Sequence, residues 1–155
     1  MKKYKLAILL AVAAIIPLFV FWKFQVKKFP ESQFGNRLLT VSINGKSLAA
    51  ELVATKEKKE LGLSGREKLC ENCAMLFVYE NKGVYPFWMK DMRFDLDMAW
   101  LLGSEVVYLA RDVPYARGTA ETINPGNFAD KIMEMNAGTI SRLGIKIGDQ
   151  VSIDE

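Results

Sequence analysis

The sequence predicts a small, mostly β domain, an antiparallel sandwich or barrel with one or two short helices, preceded by a transmembrane helix. Short strand-like segments follow one another at close spacing from residue 38, with turn residues between them. No run of alternating long helices is present that would indicate a parallel sheet. An unbroken apolar run near the amino terminus predicts the membrane helix.

The first predicted element is a membrane anchor with basic flanks over residues 1–28. Leu6–Trp22 is wholly apolar, and three lysines lie on each side of it. At about 1.5 Å per residue, this helix crosses most of a bilayer core that is roughly 30 Å thick. Flanking lysines and terminal aromatic residues cover the remainder. A cleaved signal peptide is the competing interpretation, because Ala11-Val12-Ala13 has the small-x-small pattern, but bulky residues follow Pro17.

The charge distribution places the remaining domain outside the cytoplasm and argues against a nucleic-acid partner. The flanking lysines are balanced, and the free amino terminus adds positive charge to the short side, which favours a cytoplasmic amino end. From residue 29 onward, 15 Lys and Arg stand against all 18 Asp and Glu, a net charge of −3. A mildly acidic domain without a basic patch is not typical of proteins that bind nucleic acid.

Residues 29–37 are predicted to be a linker, and residues 38–155 a single β-rich domain. Leu38–Ile43 has the pattern of a strand, and Asn44-Gly45 predicts a tight hairpin turn into the next one. Lys56–Leu63 is a short helix candidate, with Thr55 as its N-cap and Gly62 near its end.

The second half of the domain continues with strands and one helical turn. Alternating apolar residues predict that Phe94, Leu96, Met98 and Trp100 share one face of a strand. Further strands are predicted at 75–80, 105–113 and 131–135, with a helical turn at 139–143 and a closing strand pair at 145–153.

The absent residue types exclude several kinds of chemistry. The chain has no histidine, which excludes Ser-His-Asp and Cys-His nucleophiles as well as imidazole-bound zinc. Neither a Walker loop nor a Rossmann glycine fingerprint is present. We therefore expect a binding protein more than an enzyme, with no cofactor and no metal site.

Cys70 and Cys73 are the only cysteines, and they predict a structural disulfide that pins the loop between Arg66 and Met75. Thiol exchange is an alternative, although the pair lies in a loop of a mostly β chain and not at a helix start. Half of a zinc site is another alternative, which would need carboxylates or a second chain to supply the missing ligands.

The segment Val84–Met98, "VYPFWMKDMRFDLDM", combines aromatic, apolar and charged residues. One interpretation is a central strand covered on both sides. The other is an exposed patch in which an indole grips the apolar face of a ligand and charged groups hold its rim. Asp95 and Asp97, two residues apart, could likewise bind a cation, act as acid and base, or lie on a solvated face.

Several ordered motifs between residues 38 and 153 resemble the family named "domain of unknown function 192". They are Gly62-Leu63-x-x-Arg66, Met75-Leu76-Phe77, Phe87-Trp88-Met89-Lys90, Leu96-Asp97, Ala137-Gly138-Thr139, Leu143-Gly144-Ile145 and Gly148-Asp149-x-Val151. The resemblance implies a jelly-roll-like sandwich, often behind a signal or anchor segment, and implies no reaction. Ser64, Asp91-Met92 and Asp95 depart from the family pattern.

The signature positions of that resemblance, Arg66, Trp88, Lys90 and Asp97, are the predicted binding residues. Our leading hypothesis is a single-pass membrane protein whose outer domain binds a small polar or glycan-like envelope ligand through a Trp/Lys/Asp patch. One alternative is a protein-interaction or assembly module at the membrane, which would use the same patch or an open sheet edge. The other is an enzyme, either a thiol oxidoreductase or a carboxylate hydrolase.

Overall fold

The structure, a computed structural model, describes residues 32–119 and 121–154. The prediction of a mostly β domain with two short helices is confirmed. A 3-10 turn, Tyr115–Arg117, follows the fifth strand. The strands and helices are β1 Leu38–Ile43, β2 Lys46–Val53, α1 Lys56–Leu61, β3 Cys73–Gly83, β4 Leu96–Leu102, β5 Glu105–Val113, β6 Ala129–Asn136, α2 Thr139–Leu143 and β7 Val151–Asp154.

The predicted anchor, residues 1–28, lies outside the described residues. Within the part of the chain that the structure describes, no helix has the length and apolar character needed to span a membrane. From the predicted linker, Ser32 and Asn36 reach into the domain, where their side chains donate hydrogen bonds to Glu51.

The seven strands of the described residues form one sheet in the order β5-β4-β6-β3-β2-β1-β7. Of the two predicted forms, an antiparallel sandwich or barrel of jelly-roll type, this single sheet agrees in part with the barrel and not with the sandwich. Residues 54–72 carry the chain back to the start of β2, so β3 pairs with β2 in parallel. β6 then inserts between β3 and β4. Close strand spacing does not reveal such pairings, and here each new strand extends the same sheet.

The sheet curls into a half-barrel whose two edge strands meet at one end. The backbone N–H of Val106 donates to the carbonyl of Asp149 at 3.0 Å, and that of Gly148 donates to Val106 at 2.8 Å. Val151 donates in turn to Ser104 at 2.8 Å. These bonds tie the start of β5 to the start of β7, so neither edge is open there.

Two apolar clusters lie on opposite faces of the sheet. The first contains residues from all seven strands and is completed by Ile140 and Leu143 of α2, so it fills the inside of the curl. The second contains Phe77, Met98 and Trp100, and loop residues such as Met89 cover it. The outer face is thus covered by loops instead of a second sheet.

Two local predictions are confirmed because they depend on neighbouring residues alone. Asn44 and Gly45 have φ angles of 51° and 70°, which the turn of the β1–β2 hairpin requires. The hydroxyl of Thr55 accepts a hydrogen bond from the Lys58 backbone at 3.4 Å, and α1 ends at Gly62.

Candidate functional site

Residues 84–90 form an extended segment that presents one face to the core and the other to solvent. Phe87 exchanges two backbone hydrogen bonds with Ile123, at 3.0 and 2.7 Å. Met89 is fully buried, and Phe87 packs against the same core cluster. Trp88, between them, points outward and is 50% exposed. The interpretation of a strand covered on both sides was wrong, because the described part of the chain leaves Trp88 half exposed on the outward face.

Trp88 borders a cleft of about 430 Å³, which we call the Trp88 cleft. Aromatic and charged side chains line it together: Lys56, Lys59, Glu60, Tyr79, Pro86, Phe87 and Trp88. The ammonium group of Lys59 lies 4.1 Å from the centre of the Tyr79 ring, and that of Lys90 lies 5.8 Å from the Trp88 ring. The cleft therefore combines exposed aromatic faces with positive charge.

Aromatic packing fixes the wall of the cleft. The rings of Tyr79 and Tyr85 stack at 3.7 Å, and Phe77 meets Phe87 edge-on at 4.9 Å. Trp100, behind this wall, is fully buried and donates its indole N–H to the carbonyl of Tyr85 at 2.8 Å. Trp88 therefore extends from a segment that the core holds in place.

Arg66, a predicted binding residue, is committed to an internal ion pair. Its guanidinium donates to both carboxylate oxygens of Glu51, at 2.6 and 3.0 Å, and both side chains are 8% exposed. The Phe34 ring covers the guanidinium at 3.7 Å. Burial alone would raise the pKa of Glu51, but hydrogen bonds from Arg66, Asn36 and Ser32 hold that pKa below its ordinary value.

A larger cavity of about 620 Å³ lies beside this ion pair, and Phe34, Leu61 and Arg66 contribute to its lining. Its size exceeds that of the Trp88 cleft. Arg66 is engaged by Glu51 there, although the exposed Lys58 and Lys68 also line this cavity. We favour the smaller Trp88 cleft as the candidate ligand site, because the half-exposed Trp88 lines it together with two tyrosine or phenylalanine rings and two lysines.

Asp97, another predicted binding residue, lies on the opposite face of the sheet and is fully buried. One carboxylate oxygen accepts from the backbone N–H of Asp112 at 2.8 Å, and the other accepts from that of Ile140 at 2.7 Å. The structure therefore brings Trp88 and Lys90 together, but it places Arg66 in an ion pair and Asp97 in the core. The predicted Trp/Lys/Asp patch does not form, because the Asp97 carboxylate is directed at backbone groups.

Asp95 and Asp97 do not act as a pair. Asp95 accepts a hydrogen bond from the Tyr115 backbone at 2.8 Å on the exposed side, while Asp97 is buried. The described residues contain no group of three or more His, Cys, Asp or Glu side chains arranged to hold a metal ion.

Cys70 and Cys73 are joined by a disulfide, with their Cα atoms 5.1 Å apart. The side-chain amide of Asn136 donates to the carbonyls of Leu69 and Cys70, at 3.1 and 3.0 Å. Arg142 donates to the Asn72 side chain at 3.0 Å. These contacts fix the loop against β6 and α2, away from the Trp88 cleft.

Glu134 is a buried acid that the sequence analysis missed. It lies on β6, between Met75 of β3 and Met98 of β4, and it is 5% exposed. Its Oε2 atom has no hydrogen-bond partner among the described residues. Burial raises the pKa of this carboxyl group to about 8, although the positive charge of Arg66 opposes the shift. A single acid in the otherwise apolar run "IMEM" was the available signal.

Two solved structures share the fold. A protein from Sinorhizobium meliloti 1021, provisionally described as a transcription regulator, is 25% identical over 76% of this chain and 95% of its own, with a TM-score of 0.70. A protein of unknown function from Novosphingobium aromaticivorans DSM 12444 is 24% identical over 83% of this chain and 94% of its own, with a TM-score of 0.73. Comparison with curated proteins finds no match.

A family model covers nearly the whole described domain. It is that of domain of unknown function 192 (DUF192), described as "Uncharacterized ACR", and it matches residues 39–153. The matched range begins in β1 and ends in β7, so it includes the Trp88 segment, the Glu51–Arg66 ion pair and Glu134. The chain therefore belongs to the DUF192 family.

Proposed function

We propose that this protein is a membrane-anchored domain outside the cytoplasm that binds a small, sugar-like ligand of the cell envelope in the Trp88 cleft. The apolar run at residues 6–22 and its lysine flanks support the anchor and its orientation. The observation that carries the binding proposal is the half-exposed Trp88, with Lys90 beside it, on a segment whose other face is buried.

The aromatic composition of the cleft favours a ligand with a flat apolar face. Exposing half of an indole to water is unfavourable, and a sugar ring that stacks on it removes that surface from water. Tyr79 and Phe87 extend the same aromatic surface. The cleft volume of about 430 Å³ lies within the range of small-ligand sites in proteins, which runs from roughly 300 to 1,000 Å³.

The charge of the cleft favours an anionic ligand. Lys56 and Lys59 line it, and Lys90 lies over the outer ring. Glu60 is the acid in the lining, and its carboxylate is 3.9 Å from Lys56. Positive charge therefore exceeds negative charge around the aromatic surface, which suits an acidic sugar better than a neutral one.

A titration of the full-length protein tests this proposal, with a mild detergent present because of the apolar amino-terminal run. Tetragalacturonate serves as the acidic probe and cellotetraose as the neutral one. We expect tetragalacturonate to produce a saturable shift of the Trp88 indole N–H signal in NMR spectra, because its rings stack on that indole and its carboxylates meet the lysines. Cellotetraose is expected to bind more weakly.

Trp100 provides an internal control in the same titration, because its indole is buried and bonded to Tyr85. Its signal should remain in place. Trp88→Ala should abolish binding while the remaining spectrum stays unchanged. Saturable binding that persists in Trp88→Ala, or equal shifts at Trp100, would refute the Trp88 cleft as the site.

A second candidate function is a protein-interaction module. Phe34 and Leu61, at the larger cavity, are 50% and 62% exposed, and such neighbouring apolar residues are common at interfaces. Crosslinking in native membranes, with wild type and with Phe34→Ser/Leu61→Ser, should then capture a partner that only the wild type retains. Equal capture by both proteins would exclude this surface.

A further inference from the structure

We propose that Glu134 forms a second, buried subsite beneath the Trp88 cleft, where its neutral carboxyl group exchanges hydrogen bonds with a hydroxyl group of the bound ligand. This inference rests on the proposed function and specifies the ligand further. Glu134 binds the inner end of the ligand, whereas Trp88 and the lysines bind its outer end.

The sheet places Glu134 where no described residue donates a hydrogen bond to its Oε2 atom. Glu51, Met75, Glu134 and Met98 form one row across four adjacent strands. Arg66 binds Glu51 through both of its carboxylate oxygens, and Glu134 receives no such partner. Leaving a buried polar atom without a hydrogen bond destabilises the fold, so its presence here points to a function.

A small cavity connects Glu134 to the aromatic segment. Its volume is about 30 Å³, and its lining includes Ser64, Phe87, Trp88, Lys90 and Glu134. Two hydrogen bonds hold its rim together, from Ser64 Oγ to the Lys90 carbonyl and from the Gly65 backbone to the Asp91 carbonyl, both at 2.8 Å. On this measure roughly 10–15 Å³ suffices for one water molecule, so the space admits a hydroxyl group.

The charges around Glu134 decide which form of the carboxyl group meets the ligand. Arg66 acts on it from the ion pair with Glu51, and Tyr79 lies near enough that Glu134 helps to raise the pKa of Tyr79 to about 12. Lys59, Glu60 and Lys90 line the same cavity. Because burial outweighs the attraction of Arg66, the pKa of Glu134 is about 8 and the group is mostly neutral at pH 7.

A neutral carboxyl group both donates and accepts hydrogen bonds, as a hydroxyl group does. An ionised one would only accept, and it would repel an acidic ligand held by the lysines. The ligand class that fits both ends of the site is therefore an acidic sugar, with its ring on Trp88, its charge near the lysines and one hydroxyl group at Glu134.

The test is the pH dependence of tetragalacturonate affinity, measured with the full-length protein by the Trp88 indole signal. The probe stays ionised between pH 7 and 9, whereas Glu134 loses its proton. If binding requires the neutral form, the affinity should fall about tenfold from pH 7 to pH 9.

Three variants make this test specific. Glu134→Gln keeps a neutral donor and acceptor that cannot ionise, so the ratio of its affinities at pH 7 and pH 9 should be near one instead of about ten. Glu134→Leu removes the hydrogen bonds, so its affinity should fall about tenfold at pH 7. Glu105→Gln changes an exposed acid at the start of β5 and should behave as the wild type does.

The outcomes separate the two proposals. Equal losses of affinity at pH 9 in the wild type and Glu134→Gln would overturn the Glu134 subsite, while the Trp88 response would still support the proposed function. If tetragalacturonate does not move the Trp88 signal, both proposals fail. If Glu134→Leu does not fold, the comparison of Glu134→Gln with the wild type decides alone.

Discussion

Two buried glutamates lie in one row of the sheet and have opposite pKa shifts. The pKa of Glu51 is lowered by Arg66, Asn36 and Ser32 in spite of its burial, whereas burial raises that of Glu134 to about 8. The difference follows from hydrogen bonding, because one carboxylate has several donors and the other lacks a partner at Oε2. Acidic groups whose pKa is raised by burial, as that of Glu134 is, are concentrated at functional sites.

The pKa of Glu134 predicts how stability depends on pH. Between about pH 4.5 and 8 the unfolded chain has released this proton and the folded protein retains it, so the free energy of unfolding falls as pH rises. We expect a loss on the order of a few kcal/mol across this range. Urea unfolding of the wild type and Glu134→Gln at several pH values measures it.

Glu134→Gln should remove most of this fall in the free energy of unfolding with rising pH, because the glutamine side chain cannot ionise. Glu51 contributes in the opposite direction, because its stabilisation is lost only as pH falls below about 4.5. The two effects therefore occupy separate ranges of pH. Parallel curves for the wild type and Glu134→Gln between pH 5 and 8 would contradict the assigned pKa.

At the scale of elements, Asp97 joins three parts of the fold. It sits on β4 at a register shift in the pairing with β5, where its carboxylate accepts the N–H of Asp112. The same carboxylate accepts the N–H of Ile140 in the first turn of α2, a donor that has no partner within the helix. Asp97 thus attaches both β5 and α2 to the central sheet.

Asp97→Ala should therefore lower the free energy of unfolding by about 2–4 kcal/mol, since the buried N–H group of Ile140 and the part-buried one of Asp112 lose their acceptor. Asp95→Ala, two residues away, loses one exposed bond to Tyr115 and should cost less than about 1 kcal/mol. Urea unfolding of the two variants measures both losses in the free energy of unfolding. Binding of tetragalacturonate at the Trp88 cleft should be unchanged in both variants, and its loss in Asp97→Ala with a native spectrum would return Asp97 to the site.

Local signals in the sequence predicted the elements better than their arrangement. Asn44-Gly45 and Thr55 specify a turn and a helix start through neighbouring residues. Trp88 and Lys90, which were predicted to lie together because they are close in the chain, do lie beside each other. Asp97 was predicted to lie in the binding patch, but its hydrogen-bond partners are backbone groups of distant residues. No pattern of side chains in the sequence reveals such partners. Glu134 approaches Trp88 only because β6 is inserted between β3 and β4.

At the scale of the whole molecule, one curled sheet forms where a sandwich or barrel was expected, and it creates the Trp88 cleft. A sandwich would cover the outer face with a second sheet, whereas here loops cover it and leave the Trp88 cleft between α1 and residues 84–90. The two structural relatives, which match most of this chain, have the same overall fold. The pairing of strands that are distant in the sequence thus determines where the Trp88 cleft lies.

The pairing of the first strand with the last also governs when this domain can assemble. Val41 of β1 is paired with Ile153 of β7, and β6 fills the middle of the sheet between strands made much earlier. The two hairpins, β1–β2 and β4–β5, can form while the chain is still being synthesised, but they join only through β6, and β7 is added to β1 after that. Such distant pairings slow folding, because a long stretch of chain must be ordered before they form. The sheet is therefore completed only after β6 and β7 have been synthesised.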